Sequence, residues 1–224
     1  MIHRAAVVAG GTGLVGSRLL ELLAAATEYS LVVALARHPS RTAPAAIQWR
    51  AADFDRLANV LGDIRGSEAV PLDAFCCLGS TIKVAGSQEA FRRVDFEYVV
   101  RFGRWARSAN ARRLVVVSAL GADPASRVFY NRVKGEAEQA LGALGLPSLV
   151  VLRPSLLDGE RALPRPGERL ALTLTRPIRA LLPRSIRPVR DSDVAATMLA
   201  AARADRAPLL IESGQMHGAV ARVG

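Results

Sequence analysis

Three residues of this chain have side chains and a spacing suited to moving a proton. Tyr130 and Lys134 lie four apart in "FYNRVKGEAE" (129–138), and Ser118 precedes the tyrosine by twelve residues. On a helix, residues four apart stack on one face, so a phenol and an ammonium can lie side by side. A phenol, with an ordinary pKa of about 10, is a poor base unless a neighbouring cation favours its anion. Lys134 is placed to be that cation, and a serine hydroxyl can hydrogen-bond a substrate oxygen that gains charge. Together the three suit protonation of the alkoxide formed when a carbonyl receives a hydride. The plain alternative is an i,i+4 pair on a solvated helix face.

A second set of residues suits a phosphate. "AGGTGLVG" (9–16) follows an apolar run and opens an amphipathic one. Gly11, Gly13 and Gly16 fit G-x-G-x-x-G, and Gly10, Gly13 and Gly16 fit G-x-x-G-x-x-G. Glycines let the backbone turn tightly and let a pyrophosphate approach helix N-terminal amides, where the dipole favours negative charge. Such a pattern alone is weak, but its place between a strand and a helix supports a dinucleotide site. Gly10, Gly11, Thr12, Gly13, Leu14, Val15 and Gly16 are therefore read as the cofactor turn. An NAD-selective site places a carboxylate near the end of the next strand to hold the ribose 2′-OH. Here that strand ends "ALARHPSR", with Arg37, His38 and Arg41 and no acid. A guanidinium pairs with a 2′-phosphate in a bidentate fork, so the expected cofactor is NADP(H) rather than NAD(H). The competing reading is a solvated arginine in an arginine-rich chain.

The elements that must position these residues alternate regularly. Strands are expected at 4–10, 31–37, 46–53, 73–80, 113–119 and 148–155, with helical patterns at 14–26, 87–109 and 127–144. The 87–109 pattern spaces Phe91, Val94, Tyr98, Phe102 and Trp105 by three or four, which reads as a stripe packed on the core or against a second subunit. Strands this uniformly apolar, separated by helices, indicate an α/β fold: a Rossmann-type doubly wound parallel sheet in a single domain. Beyond Arg153 the rhythm breaks. A helix near 167–176 that Pro177 ends, a helix at 191–204 capped by Asp191 or Ser192, and a closing strand at 207–213 are expected. Residues 1–155 thus form the cofactor-binding core, and the loop-rich 156–224 is placed to cover the substrate.

Composition narrows the remaining classes. Half of the 224 residues are hydrophobic, which indicates a globular chain with a sizeable core. No apolar stretch approaches the ~20 residues of a membrane span, and Met1–Arg4 runs straight into a strand without the look of a cleavable leader. The net charge of +10 is carried by scattered arginines with no block or interleaved aromatics, so nucleic-acid binding is not expected. Eight of those arginines fall in 161–190, either a solvated face or a surface attracting an anionic ligand. Cys76 and Cys77 are adjacent and point to opposite faces of a strand, so they are expected as free thiols in a reducing cytoplasm. His3, His38 and His217 are too dispersed for a metal cluster, so no metal is expected. Asp191 and Asp193 read as helix-start residues, and Asp53 and Asp55 as a helix cap.

Taken together, the glycine turn, "CLGST" (77–81), Ser118, Tyr130-x-x-x-Lys134 and "LRPS" (152–155) resemble the short-chain dehydrogenase/reductase superfamily over essentially the whole chain. "CCLGST", "VDFEYV", "SALGAD", "FYNRVKGEAE" and "RPGERL" look most like its atypical branch named for the HIV Tat-interacting protein. The resemblance implies NADP(H) binding, with Asp53 and Phe54 toward the adenine and Leu78, Gly79 and Ser80 bordering the cofactor ribose. It further implies that Lys134 holds the nicotinamide ribose and that Arg153 and Pro154 belong to the cofactor site, the proline beside the nicotinamide. The chain departs from the superfamily in lacking an "NAG" tripeptide after strand four and an obvious asparagine to extend the proton relay. Three functions follow as expectations: an NADP(H)-dependent oxidoreductase of a small carbonyl or alcohol, a non-catalytic NADP(H)-binding regulator or scaffold, and an isomerase or epimerase using the same residues. Oligomeric state, monomer or homodimer, stays open at this point.

Overall fold

The computed structural model describes residues 3–37, 46–158, 183–206 and 209–223. Its centre is a seven-stranded sheet in the order β3-β2-β1-β4-β5-β6-β9. The strands are β1 (Arg4–Ala9), β2 (Tyr29–Ala36), β3 (Ile47–Ala51), β4 (Leu72–Cys76), β5 (Arg113–Val117), β6 (Leu149–Arg153) and β9 (Leu210–Glu212). Every neighbouring pair in it is parallel. A two-residue pair, β7 (Leu157–Asp158) with β8 (Val189–Arg190), stands apart from it. The doubly wound parallel fold expected from the apolar strands is therefore the fold observed.

Alternation along the strands divides the core into two layers. Ala6 and Val8 of β1 join Phe75, Val115, α1 (Leu14–Ala25) and α7 (Asp191–Arg203) on one face. Ala5, Val7 and Ala9 point the other way, toward α2 (Leu57–Leu61), α5 (Val99–Ser108) and Leu141 of α6 (Phe129–Gly142). Both faces are dry, which is why the strands show no polar alternation. Each fully buried leucine, such as Leu19, Leu35 or Leu114, contributes about 1.5–3 kcal/mol. Cys76 lies in one layer and Cys77 packs against the other; both are free thiols.

Leu157 lies where β7 starts, whereas α7 is buried along most of its length on α1 and β9 completes the sheet. The N-cap of α7 is Arg190, one residue earlier than expected, and Asp191 instead takes the Ser192 amide at 2.8 Å inside the first turn. The helix expected near 167–176 lies outside the described residues.

The largest difference from the expected elements is in 87–109. In place of one regular helix there is α4 (Gln88–Arg92), a π-helical turn over Arg93–Tyr98, and then α5. Phe91, Phe102 and Trp105 are core residues, as the stripe predicts, but Val94 and Tyr98 are only half-buried. The buried residue of the π-turn is Asp95. A π-turn adds one residue to the helical repeat, so the stripe loses register across it.

Under the amino ends of the strands a polar cluster replaces apolar packing. The fully buried Asp73 accepts from Tyr29 Oη at 2.8 Å and from Arg112 Nη2 at 2.8 Å, and Arg112 also reaches the carbonyl of Ala202 near the end of α7. It ties β2, β4 and the start of β5 to α7. Asp73→Ala leaves the Tyr29 hydroxyl buried without a partner and Arg112 without its counterion. Because Arg112 keeps some solvent access, the expected loss is about 2–3 kcal/mol of unfolding free energy, read from urea denaturation with unchanged slope.

Candidate functional site

At the carboxyl ends of β1 and β4 the strand order reverses, and helices leave toward opposite faces. The crevice this opens is where ligands bind in such sheets. Here it is a cleft of about 880 Å³. The amide of Cys77 donates to the Ala9 carbonyl at 2.8 Å, so the loop after β4 is tied to the end of β1 at the crevice floor.

The glycine turn forms one wall. Gly10 sits at φ +82°, and a Cβ there would come within 2.6 Å of the Cys77 carbonyl oxygen. At Gly16 a Cβ would come within 2.2 Å of the Gly10 carbonyl oxygen, so α1 seats on the turn only with glycine at that position. Gly13 is the N-cap of α1; no side chain caps its amides and its first turn holds no acid. Thr12, Gly13, Leu14 and Val15 line the cleft, while Gly10, Gly11 and Gly16 shape the turn from behind. Uncapped amides of a 12-residue helix, opening into a cleft free of first-turn carboxylates, fit a pyrophosphate.

The opposite wall carries Leu78, Gly79 and Ser80 from the β4 loop, Ser118 after β5, Tyr130 and Lys134 on α6, and Pro154 after β6. The loops after β5 and β6 run together through the Leu120 amide, which donates to the Pro154 carbonyl at 2.9 Å. Phe91 packs against the Tyr130 ring with centroids 5.4 Å apart, which fixes the phenol from the α4 side. Lys134 is almost wholly buried, and its Nζ lies 2.7 Å from Asp95 Oδ1. Burial pushes the lysine pKa down, but the Asp95 carboxylate and the nearby Tyr130 outweigh it and raise it above the ordinary lysine value. Lys134 is thus a charged ammonium in the cleft wall.

Ser118 has a partner that its spacing did not announce. Its hydroxyl donates to Glu138 Oε1, and Arg153 holds Glu138 from the other side with Nη2–Oε2 at 2.6 Å. Arg153 also lies 3.6 Å from Glu212 of β9. The arginine is therefore not in the cleft wall; it anchors the carboxylate that anchors the serine. Cys77 also lines the cleft, but burial pushes its thiol pKa well above the ordinary value and that of Cys76 up to about 12, so neither is a nucleophile.

The remaining expected residues fall elsewhere. Arg37 follows β2 directly and is exposed. His38 lies outside the described residues. Asp53 is exposed and takes the Asp55 amide at 2.9 Å, a local turn contact, while Phe54 is buried and stacks on Tyr98 with centroids 5.2 Å apart. Neither borders the cleft.

The NAD(P)H-binding family model matches residues 10–205. The chain belongs to that family. Within this NAD(P)H-binding family the relatives place it in the atypical short-chain dehydrogenase/reductase branch. It is 30% identical over 174 residues to the protein HTATIP2 of Rattus norvegicus, covering 76% of this chain and 70% of that one. It is 32% identical over 167 residues to the mitochondrial protein fmp52 of Emericella nidulans, covering 72% and 70% respectively. In fold it is similar to MoeE5, solved with UDP-glucuronic acid and NAD, at a TM-score of 0.70 and 20% identity over 94% of this chain and 76% of that one.

Two residues behind the cleft wall escaped the sequence patterns: Asp95 and Glu138. Both left a trace. Asp95 sits four residues after Phe91 and seven before Phe102, an acid on an otherwise apolar face. Glu138 continues the four-residue spacing of Tyr130 and Lys134. Gly16→Ala is expected to lower dinucleotide affinity at least tenfold in calorimetric titration, because the new Cβ must push α1 off the turn whose amides face the ligand.

Proposed function

We propose that the protein is an NADP(H)-dependent oxidoreductase that interconverts a small carbonyl compound and its alcohol, with Tyr130 as the proton donor. The observation that carries this reading is the meeting of Tyr130 and the buried ammonium of Lys134 in one cleft with the helix amides of the glycine turn. A cleft that only bound a dinucleotide could use the Lys134 ammonium on a ribose, but it has no need of a phenol on the wall opposite the phosphate site.

The cofactor would lie with its pyrophosphate on the amides of Leu14 and Val15 and its ribose against Leu78, Gly79, Ser80 and Lys134. When bound, its reduced nicotinamide supplies a hydride to the carbonyl carbon. Tyr130 then gives its proton to the carbonyl oxygen as the C=O electron pair moves onto that atom. The Lys134 ammonium favours the phenolate left behind, and water in the cleft returns the proton. Ser118 orients the carbonyl oxygen, but its one hydroxyl proton already serves Glu138, so substrate must compete for it. Leu120, Leu156 and Leu157 close the far side of the cleft with apolar surface, which suits an uncharged substrate. Arg37 at the end of β2 supports NADP(H): a guanidinium attracts the 2′-phosphate, and no acid stands beside it in the strand end to repel it.

The engagement of Ser118 by Glu138 favours a second reading, an NADP(H)-binding regulator that keeps Tyr130 and Lys134 without turning over. Screening carbonyl compounds for NADPH oxidation separates the two. If turnover is found, Tyr130→Phe should lower kcat by about 100-fold or more with the NADPH dissociation constant changed less than about threefold. Ser118→Ala should cost less, about tenfold or under. Retained turnover in Tyr130→Phe refutes the proposed proton donor. Calorimetry should show NADPH binding at least tenfold tighter than NADH, with Arg37→Ala removing most of that difference; equal wild-type affinities refute the cofactor assignment.

A further inference from the structure

Asp95 is the least expected residue in the interior. It is a fully buried acid, and it lies within the π-turn of the helix between β4 and β5. Both of its oxygens are directed at the cleft wall. Oδ1 lies 2.7 Å from Lys134 Nζ, and Oδ2 accepts the backbone N–H of Ser80 at 2.8 Å. The β4 loop is close on the same side: a Cβ at Gly79 would stand 3.5 Å from Asp95 Oδ1 and 3.6 Å from Lys134 Nζ. One carboxylate thus spans two parts of the cleft that come from different elements, the ammonium on α6 and the loop after β4.

We propose that Asp95 is a positioning residue for the reaction, holding Lys134 charged and fixed beside Tyr130 and locking the β4 loop to it through Ser80. The inference rests on the reading of Lys134 as the cation that serves Tyr130. A long flexible lysine side chain buried without a counterion would deprotonate or swing toward solvent. The ion pair prevents both, and its second oxygen makes the loop and the ammonium move as one body. The π-turn has a functional reason on this view, since it carries an acid into the core without ending the helix.

The other groups facing Lys134 do not replace Asp95. Tyr130 approaches from the same helix, and Cys76 from β4, where burial pushes its thiol pKa up to about 12. Ser118 and Glu138 border a small pocket, about 10 Å³, beside Lys134 and Asp95, but Glu138 is already paired with Arg153. Asp95 is the carboxylate in direct contact with the ammonium.

The chain has only two lysines, Lys83 and Lys134, so carbon-labelled lysine gives two NMR signals that Lys83→Arg assigns. In wild type the Lys134 signal should stay at its protonated position up to about pH 10. In Asp95→Asn, which is isosteric and retains an acceptor for Ser80, its midpoint should fall by at least one pH unit. With a carbonyl substrate, the alkaline limb of kcat/KM should move down with it, while Lys83 is unaffected. An unchanged Lys134 midpoint in Asp95→Asn overturns the inference. So does a wild-type Lys134 that loses its proton below about pH 10, a result that needs no variant and stands even if Asp95→Asn fails to fold. Absence of carbonyl turnover in wild type refutes the reductase reading instead, and the Lys134 titration still decides whether Asp95 holds the ammonium.

Discussion

Helix α1 must rest on the turn that follows β1, and the carbonyl oxygen of Gly10 leaves no space for a side chain at Gly16. That single contact sets the position of the α1 amides, and the rest of the cleft is arranged around them. From β1 the chain crosses one face of the sheet to β2; from β4 it crosses the other face to β5. The opening between them is a consequence of that reversal, and its floor is sealed by the Cys77-to-Ala9 hydrogen bond. Everything with chemistry in it then comes from the ends of β4, β5 and β6 and from the first two turns of α6.

The site is held by charged groups that are paired out of sight of the substrate. Asp95 meets Lys134, and Glu138 meets both Ser118 and Arg153. Buried ion pairs of this kind add little to stability, because desolvation offsets most of the attraction. Their value lies in geometry, since each carboxylate contacts polar groups on more than one element. Breaking one leaves an unpaired charge in the core, so the arrangement is hard to deform. The cluster around Asp73 plays the corresponding part at the other end of the sheet, where it joins β2, β4 and β5 to α7 away from the cleft.

The wall residues also show how two carboxylates divide labour. On the proposed mechanism, Asp95 keeps Lys134 charged, and the charged lysine serves Tyr130 in moving a proton. Glu138 acts on the serine in the opposite sense, taking the one proton that a substrate oxygen would want. The cleft therefore looks better prepared at the tyrosine than at the serine.

Much of this was legible in the residues. Uniformly apolar strands with helices between them determine a parallel doubly wound sheet, because both faces must be covered. The glycine spacing locates the turn on which α1 rests, and the spacing of Tyr130 and Lys134 puts both on one wall of the cleft, because residues four apart share a helix face. Residues far apart in the chain were not legible in the same way. Arg153 was expected in the cofactor site and instead pairs with Glu138; Phe54, expected near the adenine, stacks on Tyr98 in the core. Spacing describes neighbours along one element, and the partner of a buried charge is chosen between elements. Asp95 is the sharpest case: its place in the stripe turns it inward, but Lys134 of α6 and the Ser80 amide of the β4 loop come from other elements, and only the tertiary structure brings them against it.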